Sequence, residues 1–221
     1  MLGLDFGICP GDCDASNEAT PDALADTLTD TLTDAPPFDA GGLTDSPVNN
    51  DAGPIYEINC GGDQVGSFAD DIPNCAYCVD PSPTTWYGVD AAIDLSMVDS
   101  APMAVYQNYR YNAYQDAQGL GQQFSYLFPT LTPLQNYRVR LLFADIFDNE
   151  AGQRQFNVSI NGAGVLTDFD IIQAAGAPMK AIDRDFIVAA SEAGTIQIDF
   201  QSSNSADGVA CINGIEIWAS P

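Results

Sequence analysis

From Tyr137 to Ala144 the chain reads YRVRLLFA, so Tyr137, Val139, Leu141 and Phe143 fall on one side of an extended backbone and Arg138, Arg140, Leu142 and Ala144 on the other. That two-residue period is the signature of a strand. Phe156, Val158 and Ile160 repeat it, and so do Ile196, Ile198 and Phe200 against Gln197, Asp199 and Gln201. The polar connection 145–155 is too short for a crossover helix, so the runs on either side of it are expected to be antiparallel neighbours or partners across a sandwich. Further strands are expected at 55–60, 103–111, 123–127, 186–189 and 211–219, separated by Gly, Asn, Asp and Pro. About eight short strands and few helices point to an all-β sandwich. The longer connections 63–94 and 113–122 exceed hairpin length, and ordered loops of that size commonly carry ligand contacts.

Residues 1–54 have a different texture, with many aspartates, no lysine or arginine, and Phe6 and Phe38 as their aromatics. Such a segment buries little apolar surface and reads as an acidic low-complexity arm or linker ahead of a domain at 55–221. Within it, around DTLTDTLTD at residues 26–34, Leu24, Leu28 and Leu32 fall at helical spacing, but the β-branched threonines oppose a helix. Residues 1–8 lack a basic n-region and an unbroken apolar run, so a mature or trimmed secreted form is expected. No stretch of about 18 apolar residues suggests a membrane span.

Charge and composition narrow the chemistry. The 221 residues include 31 acidic and six basic side chains, a formal net charge of -25. The arginines are dispersed and Lys180 is the lone lysine, so a nucleic acid or an anionic membrane surface is a poor partner. There is no histidine. Ser-His-Asp and Cys-His nucleophiles, histidine general bases and histidine-ligated zinc are therefore excluded. Carboxylate-pair chemistry stays open in principle, but no segment singles out two acids for it, and the chain reads as a non-enzyme. No DxDxDG loop marks a calcium site, and no metal or cofactor is expected.

The six cysteines form an even set that favours an oxidising compartment. Cys9 and Cys13 make a CxxxC pair, and Cys75 and Cys78 are expected to close a small loop. Cys60 and Cys211 are expected to staple the first strand of the domain to the last. A zinc site from the two close pairs is the lesser alternative.

INCGGD at 58–63, YQNYRY at 106–111, FADIF at 143–147, GQRQFNVSING at 152–162, FDI at 169–171 and NGIEIW at 213–218 together resemble the malectin-like domains, over most of residues 55–221. The resemblance implies a jelly-roll-like β-sandwich that binds oligosaccharide without catalysis, in an extracellular or secreted setting. It also implies a sugar site built from loop aromatics and an aspartate at one end of the sandwich. Carried over residue by residue, that site falls on Tyr87, Tyr111, Phe147, Asp148 and Asp207, with Asp148 standing where the family has a second ring. Trp86 and Tyr77 are secondary candidates. Arg154 and Asp145 match the family pattern as a structural charge pair. Tyrosine suits sugars because its face packs on C–H groups while its hydroxyl pairs with theirs. The alternative is an extracellular structural or adhesive subunit whose N-terminal arm contacts another copy of the chain. Asn157 heads an N-x-S sequon on a strand.

Overall fold

The computed structural model describes residues 53–79, 85–98, 101–112, 123–203 and 209–220. Eleven strands and two short helices are found in these segments: β1 (Tyr56–Asn59), β2 (Thr85–Gly88), α1 (Met103–Tyr106), β3 (Asn108–Tyr111), β4 (Phe124–Phe128), β5 (Asn136–Ala144), β6 (Phe156–Ile160), β7 (Ala163–Phe169), α2 (Ile171–Ala175), β8 (Ala181–Ala189), β9 (Ile196–Ser202), β10 (Cys211–Ile212) and β11 (Gly214–Ala219). They form two four-stranded sheets, β1-β11-β5-β8 and β4-β9-β6-β7, and a three-stranded sheet, β10-β3-β2. The named pairings are antiparallel. This is the all-β sandwich that the alternating runs imply.

The strands β5 and β6 lie in different sheets, so the second of the two arrangements open to them is realised. The inward residues meet in the core. Phe143 of β5 lies 5.9 Å from Phe156 of β6 and 5.1 Å from Phe169 of β7, measured between ring centroids. The expected strand 103–111 divides into α1 and β3. Pro102 precedes the helix and Gln107, with φ -84° and ψ -3°, ends it, so only the last four residues stay extended. Short β2 and the largely exposed β7 carry too little buried alternation to be read as strands, and both were absent from the expected set.

Asn213, at the break between β10 and β11, joins three elements. Its Oδ1 accepts from the Ala144 amide at 2.8 Å, and its Nδ2 donates to the carbonyls of Tyr106 and Asn108 at 3.1 and 2.7 Å. The small sheet is thereby fixed to the end of β5. A second buried anchor lies under β3. Asp71 Oδ2 accepts from Arg110 Nε at 2.5 Å, Tyr126 Oη at 2.8 Å and the Gly61 amide at 3.0 Å. Gly61 has φ +76°, and a Cβ there would stand 2.5 Å from the Tyr109 carbonyl oxygen, so only glycine fits.

Cys75 and Cys78 form a disulfide. Cys60 and Cys211 correct the expected staple, because both are buried free thiols. The Cys60 thiol sits among Asp71, Tyr126 and Arg110, whereas that of Cys211 sits among Arg154, Asp145 and Asp148, so the two face different clusters. Burial pushes Cys60 well above the usual thiol range and Cys211 up to about 12. The zinc alternative loses Cys75 and Cys78 to their disulfide. Cys9, Cys13 and the 26–34 repeat lie outside the described residues.

Candidate functional site

The β2–β3 pair decides what reaches the surface at this end of the sandwich. Tyr87 is the register partner of Tyr109, Thr85 that of Tyr111 and Trp86 that of Arg110. Successive side chains on a strand point to opposite faces. One face of the pair therefore carries Tyr87, Tyr109 and Tyr111, and the other carries Trp86 and Arg110.

The tyrosine face opens onto a cleft of about 90 Å³ lined by Tyr87, Tyr109, Tyr111, Phe147, Arg154 and Val209. Its rings are in contact. Tyr87 is 5.6 Å from Tyr109 in a tilted arrangement, 5.5 Å separates Tyr87 from Phe147 edge to face, and Tyr109 meets Tyr111 edge to face at 5.5 Å. Phe147 comes from the turn after β5 and is 57 % exposed. That turn is held by Asp145, whose Oδ1 accepts from the amides of Phe147 and Asp148 at 3.1 and 3.0 Å.

Arg154 closes the inner wall. Its Nε lies 2.9 Å from Asp145 Oδ2 and 2.9 Å from Asp148 Oδ2, its Nη1 donates to the Val209 carbonyl at 2.9 Å, and its guanidinium carbon stands 5.2 Å from the Tyr109 ring centroid. Burial acts to lower its pKa, but Cys211, Asp145, Tyr109 and Asp148 around it hold the guanidinium well above its ordinary value. Burial also pushes the Tyr109 phenol above its ordinary range, with Arg154 acting against the shift.

Of the residues expected at the site, Tyr87, Tyr111 and Phe147 come together in this cleft. Asp148 is 5 % exposed, turned onto Arg154 behind the cleft wall, and it is not among the lining residues. Asp207 lies outside the described residues, two positions before the lining residue Val209. Of the secondary candidates, Trp86 faces the other way. Tyr77 packs on Tyr56 and Phe128 at 5.4 and 5.1 Å and is not among the lining residues of the cleft. Tyr109 and Arg154 are lining residues not expected at the ligand. For Tyr109 a signal existed, since it shares a strand face with Tyr111 two residues on. The charge pair expected of Arg154 and Asp145 is present, with Asp148 as its third member.

The family model of the malectin domain matches residues 54–216. The chain belongs to the malectin domain family. Over 176 residues this malectin domain is 27 % identical to a probable receptor-like protein kinase of Arabidopsis thaliana, a stretch that covers 74 % of this chain and 21 % of the kinase. Among solved structures it resembles the extracellular domain of ANXUR1 from Arabidopsis thaliana, with a TM-score of 0.66 and 19 % identity over 75 % of this chain and 48 % of the other. It also resembles the ANXUR2 extracellular domain, at 0.65 and 18 % over the same shares. A complex of the plant peptide RALF23 with FER and LLG2 contains a chain similar at 0.63 and 19 %, again over 75 % and 48 %. The malectin domain thus spans about half of these structures and a fifth of the kinase, and the structural likeness at such identities concerns the fold.

Proposed function

We propose that this malectin domain is a non-catalytic carbohydrate-binding module that works outside the cell and takes a sugar in the Tyr87, Tyr109, Tyr111 and Phe147 cleft. The observation that carries the reading is the convergence of four rings, from β2, β3 and the turn after β5, on one small opening. A pyranose presents an apolar C–H face to such rings, and its hydroxyls find the tyrosine oxygens at the edge. Drug-sized ligand pockets run from roughly 300 to 1,000 Å³, so a cleft of this size accepts the edge of one terminal residue rather than enclosing an oligosaccharide.

Arg154 and its two carboxylates serve as a scaffold in this reading. Asp148 holds the guanidinium instead of receiving a sugar hydroxyl, and Arg154 holds Tyr109 and the Val209 backbone in place. Asp207 remains a proposed acceptor for a hydroxyl.

A second reading, an extracellular module that takes a peptide or protein, is favoured by the likeness to a chain seen in complex with the peptide RALF23 and LLG2. A glycan array with the full chain, beside light scattering on the same sample, separates these readings. Selective binding of oligosaccharides by a monomer, lost in Tyr111→Ala, supports the sugar module. An array with no selective binding overturns it and leaves the peptide or protein reading. Large assemblies on scattering in that case revive the structural subunit built through the N-terminal arm.

A further inference from the structure

The face of β2 opposite the tyrosines borders a larger, open groove of about 550 Å³ whose lining includes Trp86, Asn59, Asp63, Asp90, Gln107 and Asn108. Trp86 is 45 % exposed there. The polar groups of this groove share one property. Each amide nitrogen already donates to a backbone carbonyl: Asn59 Nδ2 to that of Asp63 at 2.7 Å, Gln107 Nε2 to that of Ala91 at 2.6 Å, and Asn108 Nδ2 to that of Ala104 at 3.0 Å. The Oδ1 of Asn59, on a side chain with 0 % exposure, has no hydrogen-bond partner, and a buried acceptor without a donor is costly. Gly88 keeps the Asn108 oxygen uncovered, since a Cβ there would lie 2.4 Å from it. Asp63 and Asp90 add two exposed carboxylates, and no lysine or arginine is among the lining residues.

A groove of acceptors with two negative charges and an indole face complements a ligand that is positive and rich in N–H donors. We propose that it binds an organic cation, a guanidinium or alkylammonium head, which lies on Trp86 and donates to Asn59 Oδ1, Asn108 Oδ1 and the carboxylates of Asp63 and Asp90. Tryptophan is the strongest ring for a cation above its face, and N–H bonds to carboxylates are strengthened by charge. This site is separate from the sugar cleft, and neither depends on the other.

The test is a titration of the full chain, followed by tryptophan fluorescence and calorimetry, with an acetylated and amidated Gly-Arg-Gly tripeptide and with spermidine. Saturable binding is expected to weaken about 10-fold or more in Trp86→Ala and in the double variant Asp63→Asn, Asp90→Asn. The charge-matched control Asp168→Asn, Glu192→Gln, which removes two exposed acids elsewhere, is expected to leave it unchanged. Binding of both probes identifies the head group as what is recognised, and binding of the tripeptide alone identifies a side chain on a peptide. Equal weakening in the control would reduce the effect to diffuse charge and overturn the site. So would an unaltered affinity in Trp86→Ala, an absence of saturable binding, or capture of methyl glucoside at Trp86 with no response to either cation.

Discussion

Arg154 lies over the ring of Tyr109 with its guanidinium carbon 5.2 Å from the ring centroid, and the same guanidinium is gripped from behind by Asp145 and Asp148. One buried cation therefore supports the floor of the aromatic cleft and is the shared counter-ion of two carboxylates that water scarcely reaches. Removing it strands both acids. Arg154→Met is expected to cost about 3 to 5 kcal/mol, the usual penalty for breaking a buried ion pair from one side. Chemical denaturation would measure this, and a loss below about 1 kcal/mol would mean that the acids find other partners.

Tyr111 stands at the half-buried rim of the cleft with its ring edge-on to Tyr109. Tyr111→Ala is expected to weaken sugar binding by about 10-fold or more while the far-ultraviolet circular dichroism is retained, because one lost aromatic anchor commonly removes upwards of 1 to 2 kcal/mol of binding. Calorimetry on the glycan found by the array is the check. Unchanged affinity would place the sugar elsewhere.

Glu216 on β11 is 1 % exposed, with Arg140 Nη1 3.7 Å from its Oε2. Burial raises its pKa from 4.5 to about 7, with Arg140 acting to lower it and Glu57, Asp183 and Asp185 to raise it. The folded state thus holds a proton that the unfolded chain releases near pH 4.5. The stability contributed is fully present below that pH and is lost as pH rises towards 7. Glu216→Gln should flatten the fall in melting temperature between pH 5 and 8. It should leave the variant more stable than the parent at pH 8, and parallel curves would refute the assignment.

Cys60 and Cys211 are buried thiols whose pKa values lie above their ordinary range. Iodoacetamide is expected to leave both unmodified in the native protein and to modify both after unfolding without reductant. Peptide mass spectrometry reads this directly. A Cys60–Cys211 bridge would instead block labelling in both states until reductant is added.

Asn213 makes three hydrogen bonds between β5, α1 and β3. Asn213→Ala leaves the Ala144 amide and two carbonyls to find new partners, at about 1 to 3 kcal/mol for each buried group left unpaired. A reduced denaturation midpoint with an unchanged slope is expected.

How far the sequence discloses this molecule depends on how regularly each segment alternates. β5 and β9 were legible because large inward residues alternate with polar ones, over the first half of β5 and along most of β9. β7, with AGVLTDF, mixes small, polar and apolar residues and is mostly open to water, so no two-residue period survives. α1 was hidden because MAVY is apolar and joins directly to the strand that follows. At the cleft, Tyr87, Tyr111 and Phe147 were accessible through family resemblance. The engagement of Asp148 by Arg154 was not, since it depends on how the single connection between β5 and β6 folds back on itself. The free thiols of Cys60 and Cys211 were misread because the backbone just past β1 does reach the turn after β10, with the Cys60 amide on the Asn213 carbonyl, while the two side chains enter separate clusters.

Adjacent rings of β2 belong to unrelated surfaces, Tyr87 to the enclosed cleft and Trp86 to the open groove. Because facing alternates with every residue, a slip of one position against β3 would exchange the two rings and ruin both surfaces at once. Single substitutions, by contrast, reach one surface without disturbing its neighbour. The strand is thus intolerant of insertion, whereas replacement of Tyr87 or of Trp86 alters one surface at a time within a span of four residues.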